Sequence, residues 1–169
     1  MSMEEGKTPL ADLEAMLGRE IRLHEPMLEI AERKRVAVIQ GDLPALEAIL
    51  EQERQLVAEA EEGEATRESA LRAARVAVGL PETEGRLEDI VARLSEPERS
   101  RIGEEREKLR SLLDDLRKKS RHNAELLKAS LAHVEAFLRA VADAARADKR
   151  YGKDGRPSGG GSAFLDRNA

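Results

Sequence analysis

The chain of 169 residues contains no cysteine and no tryptophan, and its only aromatic residues are Phe137, Tyr151 and Phe164. Without cysteine it can form no disulfide, no thiolate metal site and no cysteine nucleophile. With so few rings, a thick globular core has nothing to fill it. A composition of 40% hydrophobic and 37% charged residues points instead to long amphipathic helices around a narrow core. No apolar run approaches the roughly 18 residues that a membrane span requires, and the opening MSMEEGKTPL is acidic with no apolar signal core. Acidic residues outnumber basic ones by 34 to 29 and no long basic block occurs, so no cationic face is expected for a nucleic acid. Together these absences predict a soluble cytoplasmic protein with no nucleic-acid partner and no membrane insertion.

What is present is helical periodicity broken by clear punctuation. Thr8-Pro9 reads as an N-cap followed by proline at the first helical position. Leu10, Leu13, Leu17, Ile21, His24, Leu28 and Ala31 then recur at steps of three and four, predicting a first helix to about Gln40 with a kink at Pro26. Gly41 ends it, and Asp42 is placed to cap the next helix. That second helix carries Leu43, Leu46, Ile49, Leu50, Leu56 and Val57, then Leu71, Ala74 and Val78, with no large apolar residue from Ala58 to Ala70. This middle section, weakened further by Gly63, is expected to be loosely packed or solvated. Gly79-Leu80-Pro81 stops the helix, a short helix from about Thr83 to Leu94 follows, and Ser95 with Glu98 has the spacing of a capping box.

The last helix is predicted to run from there to about Ala147, roughly 75–80 Å at 1.5 Å per residue. It carries heptad rows Leu109, Leu116, Asn123, Ser130, Phe137, Ala144 and Leu113, Ser120, Leu127, Val134, Val141. The three polar interruptions are expected to fix register or to face solvent, with a partly open groove as the alternative. In its last half, Leu126, Leu127, Leu131, Val134, Phe137, Leu138 and Val141 form a stripe wider than one narrow seam needs. These residues are the candidate client-binding surface, with intramolecular core as the competing reading for Leu127, Val134 and Phe137.

Catalytic chemistry finds no footing. A di-iron carboxylate bundle needs Glu-x-x-His on two helices, and no glutamate stands three residues before His24, His122 or His133. Eight glutamates against Arg54 and Arg67 give residues 44–68 a net charge of −6, which a solvated face explains. GGGS in the tail has no strand before it and no helix after it, so it is no phosphate loop. No enzyme activity, cofactor or metal is expected.

The segment GDLPALEAILEQERQLVAEAE after a first long helix, the AVGLP break, the long last helix and YGKDG just past its end resemble the flagellar export chaperone FlgN family over about residues 8 to 155. Pro26 and the glycine-rich tail depart from that pattern. The resemblance implies a small cytoplasmic chaperone without ATPase activity. It would bind the C-terminal helical segments of the hook–filament junction proteins FlgK and FlgL, keep them unassembled and deliver them to the export gate. Tyr151, Phe164 and Leu165, carried on a tail that RPSGGGS keeps off the bundle, are the candidate residues for docking on the gate's cytoplasmic domain.

The fold class expected is all-α, an elongated antiparallel helical hairpin or three-helix coiled-coil-like bundle with the last helix antiparallel to the earlier ones. A disordered segment 1–7, a chaperone domain 8–147 and a flexible Gly-rich tail 148–169 complete it. A homodimer is left open. A structural coiled-coil adaptor with no secretion role is the alternative function.

Overall fold

The structure of the chain, a computed structural model, describes residues 8–150, with side chains as far as residue 147. The expected disordered start and Gly-rich tail, with Tyr151, Phe164 and Leu165, lie outside the described residues. Within them every element is helical: α1 (Pro9–Gln40), α2 (Leu43–Ala77), α3 (Leu87–Arg93) and α4 (Glu98–Arg150). The chain belongs to the all-α class.

The punctuation acts where the sequence places it. Thr8 Oγ1 accepts from Ala11 N at 3.3 Å, and α1 runs unbroken through Pro26. At Gly41, with φ of 67°, Asp42 N donates to Ala37 O and Gly41 N to Val38 O, so the last carbonyls of α1 are satisfied. Asp42 then caps α2 through Ala45 N at 3.0 Å, and α1 and α2 form a hairpin with a two-residue connection. The same closing pattern recurs after α2, where Leu80 N donates to Arg75 O at 2.8 Å and Gly79 N to Val76 O.

Two local expectations need correction. The short helix begins at Leu87 rather than Thr83, because Gly85 takes φ of 105° and no helix can pass through it. Arg86 N then donates to Asp89 Oδ2 at 2.6 Å to start α3. At the head of α4, Ser95 Oγ donates to the Glu98 carboxylate at 3.3 Å, so the two side chains meet each other rather than each other's backbone.

Residues 1–126 form one unit and 127–169 another. In the first, α1 is covered from more than one side. Its contacts with α2 are antiparallel: Lys34 meets Glu53 at 2.7 Å, Arg67 meets Glu20 at 3.5 Å, and Leu13 and Leu17 share a cluster with Ala70 and Ala74. Its contacts with α4 run in the same direction, from Glu14–Arg101 through Glu25–Lys108 to Glu32–Lys119. The last helix is therefore antiparallel to α2 but parallel to α1. The reason is chain geometry: α2 returns the chain to the starting end of α1, α3 and its turns reverse it, and α4 leaves in the direction of α1.

The core has two apolar clusters, and the stretch of α1 between them buries a carboxylate together with Ile21 and Leu23. Leu13, Met16, Leu17, Ala70, Ala74, Ile90, Leu94 and Ile102 form one cluster, and Ile30, Ala37 and Ile49 form the other with Ala45, Leu46 and Leu56. Between them Glu20 is buried beside Arg67 and His24, and Arg67 also pairs with Glu64. His24 Nδ1 lies 2.8 Å from the Glu20 carbonyl, so a backbone oxygen rather than the carboxylate holds it. Gly63 is buried there too. A Cβ on it would meet the Arg19 guanidinium at 3.4 Å, an ordinary contact, so the Arg19 side chain lies over this glycine. From Ala58 to Ala70 only Gly63 and Ala70 are buried, which leaves the middle of α2 largely solvated.

One carboxyl sits against its own interest. Glu105 Oε2 is buried with no hydrogen-bond partner, and burial, then the charge of Glu14, raise the carboxyl above its ordinary value despite Arg22, Arg101 and Lys108. A raised value means the native state holds the proton more tightly than the unfolded chain does, so this group's contribution weakens as pH rises through that range. Glu105→Gln is therefore expected to raise the thermal midpoint at neutral pH. Melting curves along an acid series should show the advantage shrinking toward the ordinary carboxylate range; an advantage independent of pH would assign the effect to packing.

Candidate functional site

α4 has two different halves. In the first, Ile102 and Leu109 join the apolar end of the core, and the helix is pinned near its middle. Asn123, only 1% exposed, donates from Nδ2 to the carbonyl of Ala31 at 2.7 Å. One turn earlier Lys119 Nζ lies 2.7 Å from Glu32 Oε2. The hydrogen bond from Lys119, then that from Arg35, holds the Glu32 carboxyl below its ordinary value, so this clamp persists above the carboxylate range and is lost as pH falls through it. Of the three polar interruptions in the heptads, Asn123 is buried, while Ser120 and Ser130 are exposed. Asn123 thus acts as a register pin, since its buried Nδ2 donor finds a partner only at the axial position that brings it to Ala31, while its Oδ1 is buried with no partner.

Beyond that pin the helix continues with its apolar side chains uncovered. Leu126 is half-buried; Leu127, Leu131, Val134, Phe137, Leu138 and Val141 are exposed, Leu131 by 61%, Phe137 by 63% and Leu138 by 59%. The intramolecular-core reading of Leu127, Val134 and Phe137 is set aside by this exposure. Leu127, Leu131, Val134, Leu138 and Val141 follow one another at alternating steps of four and three, which puts them on one face. Burying that row on a partner would contribute on the order of 10 kcal/mol before the costs of association.

What keeps this half helical is local. Ala129, Ala132, Ala136, Ala140, Ala142, Ala144 and Ala145 are strong helix formers, and Glu135–Arg139 at 3.9 Å and Asp143–Arg146 at 3.3 Å are pairs at helical spacing. The stripe is thus presented on a preformed helix. Sequence reasoning located these residues by their periodicity. It gave no role to Lys119 or Glu32 and left Asn123 between register and solvent, because a contact across 92 residues of chain leaves no local pattern.

Chemistry of other kinds is poorly served. Open grooves of about 570 Å³ between α1 and α2 and about 550 Å³ between α3 and α4 are lined by small, aliphatic and ion-paired side chains. Among the described residues no group of three or more histidines and carboxylates is arranged to hold a metal ion. No helix among them is long and apolar enough to cross a membrane.

Compared with known families, the sequence matches the one described as FlgN protein over residues 3–159. The chain belongs to the FlgN family. No curated protein and no solved structure matches it. FlgN is a family of flagellar export chaperones, and the uncovered apolar helix face is the feature of this FlgN chain to be explained.

If the two halves of α4 differ as described, substitutions in them should differ in cost. Asn123→Ala should lower the unfolding free energy by about 1–2 kcal/mol, from a lost buried hydrogen bond. Leu138→Ser should change it by no more than about 0.5 kcal/mol, as exposed positions do. Urea denaturation measures both, and equal costs would mean that Leu138 is buried in solution.

Proposed function

We propose that this FlgN chain is a cytoplasmic chaperone of flagellar type III export that takes the C-terminal helical segment of the junction proteins FlgK or FlgL along the last half of α4. The observation that carries the reading is the run of large apolar residues from Leu127 to Val141 on one face of a helix that keeps its form without covering them. A newly made junction protein has amphipathic terminal helices that would associate with one another. A helical stripe of matching length can cover such a segment by side-to-side packing, with apolar anchors recurring every three and four residues. Holding the client in this way requires no nucleotide and no catalytic group. It blocks assembly because the same face of the client cannot serve two partners.

Delivery requires a second surface, since the first is occupied by client. Tyr151, with Phe164 and Leu165 further along, supplies aromatic and aliphatic side chains on a glycine-rich sequence after α4. An aromatic side chain fills an apolar pocket at low entropic cost, which suits recognition by the cytoplasmic domain of the export gate.

Co-purification of the intact chain with FlgK and with FlgL from the same cell tests the client reading. Leu131→Asp or Leu138→Asp should reduce binding by about a hundredfold or more, because a carboxylate would have to be desolvated in an apolar seam, with the circular dichroism of the helix nearly unchanged. Normal binding by a folded variant would remove this face from consideration, and failure of the intact chain to co-purify with either junction protein would favour an adaptor with no secretion role. Tyr151→Ala should leave client affinity unchanged while lowering secretion of the junction proteins and retention on the gate's cytoplasmic domain. Wild-type secretion by the variant would dismiss the tail as a docking element.

A further inference from the structure

Two heptad rows, not one, are uncovered on the second half of α4. The first is Leu127, Leu131, Val134, Leu138 and Val141. The second is Ser130, Val134, Phe137, Val141 and Ala144, and it shares both valines with the first. Every residue of both rows is exposed. A helix in a two-stranded coil carries a single apolar row with polar or charged residues on each flank. A helix that meets two neighbours is apolar at a third heptad position as well. Here one flank has Lys128 and Glu135, whereas the other has Ser130, Phe137 and Ala144 and no charge at all.

From this geometry we infer that the stripe takes two amphipathic helices of one client, packed side by side with Val134 and Val141 as the floor between them. The inference rests on the reading of this face as the client site. A lone helix centred on the first row leaves Phe137 in solvent, and one centred on the second leaves Leu131 and Leu138 there. The same helix is already held from more than one side in its first half, where Ile102 and Leu109 share a cluster with Leu13 and Leu17 of α1, Ala74 of α2 and Ile90 of α3. In steps of seven, Leu109 and Leu116 lead to Phe137 and Ala144, and Leu113 leads to Leu127, Val134 and Val141, whereas Leu131 and Leu138 lead back to Ala124, Arg117 and Arg110, so apolar residues at this third position begin only in the uncovered half. A second copy of the chain is a poor occupant: a two-stranded pair centred on either row leaves the other row's large apolar side chains, Phe137 or Leu131 and Leu138, outside the seam.

The test uses the full chain, full-length junction protein and a synthetic peptide holding only that protein's last amphipathic helix, titrated calorimetrically. Leu131→Ser combined with Leu138→Ser strips the first row, and Phe137→Ser strips the second. Phe137→Gln accompanies it as a better helix former, and circular dichroism monitors the helix. Each stripped row should weaken the full-length client by about tenfold or more, while against the single-helix peptide only one row should matter. If both Phe137 variants bind full-length client like the wild type while the leucine double variant does not, one helix occupies the site and the inference is overturned with the client site intact. If neither row matters, the client site itself is wrong and the inference falls with it.

Discussion

Burial of α1 is the contact on which the rest of the fold depends. Nine of the fifteen buried apolar side chains among the described residues are on this helix, from Leu13 to Val38. Among the described residues the core contains no aromatic ring, so its thickness is set by leucine, isoleucine and alanine, and small residues such as Ala70 and Ala74 bring α2 close. A core this narrow cannot be extended sideways. It can be made larger only by lengthening helices, which is why the chain spends its residues on spans of 32, 35 and 53.

The middle of the α1–α2 hairpin follows a different rule. Glu20 meets Arg67 and His24, Arg67 also meets Glu64, and Arg19 lies over Gly63, all between the two apolar clusters. Burying charge costs free energy that pairing only partly offsets, so such a layer contributes little to stability. What it does supply is register: sliding one helix along the other by a turn would separate the buried Glu20 from Arg67. Asn123 does the same for α4. Polar contacts thus fix the alignment that a uniform leucine and alanine seam would leave ambiguous.

The second half of α4 reverses the usual relation between helix and core. Most protein helices are stabilised by the face they bury. From Leu127 onward this one stands on alanine propensity and local ion pairs, and its apolar face is left over for other use. Under the proposed function this amphipathic face, uncovered by the other described residues, is the binding element, and its heptad spacing suits a helical partner.

The sequence by itself determined the elements. Thr8-Pro9, Gly41-Asp42 and Gly79-Leu80-Pro81 act through φ angles and backbone donors of adjacent residues, and such short-range chemistry can be read along the chain. The candidate stripe was legible for the same reason, since a spacing of three and four specifies a helix face whether or not anything covers it. Only the tertiary structure decided that α4 lies parallel to α1, that Arg67 reaches Glu20, that Asn123 reaches Ala31, and that Phe137 is exposed rather than core. Each of those depends on which residues far apart in sequence come within a few ångströms of one another. A local pattern fixes the side of a helix a residue lies on; what stands opposite that side is settled by the packing of the whole bundle.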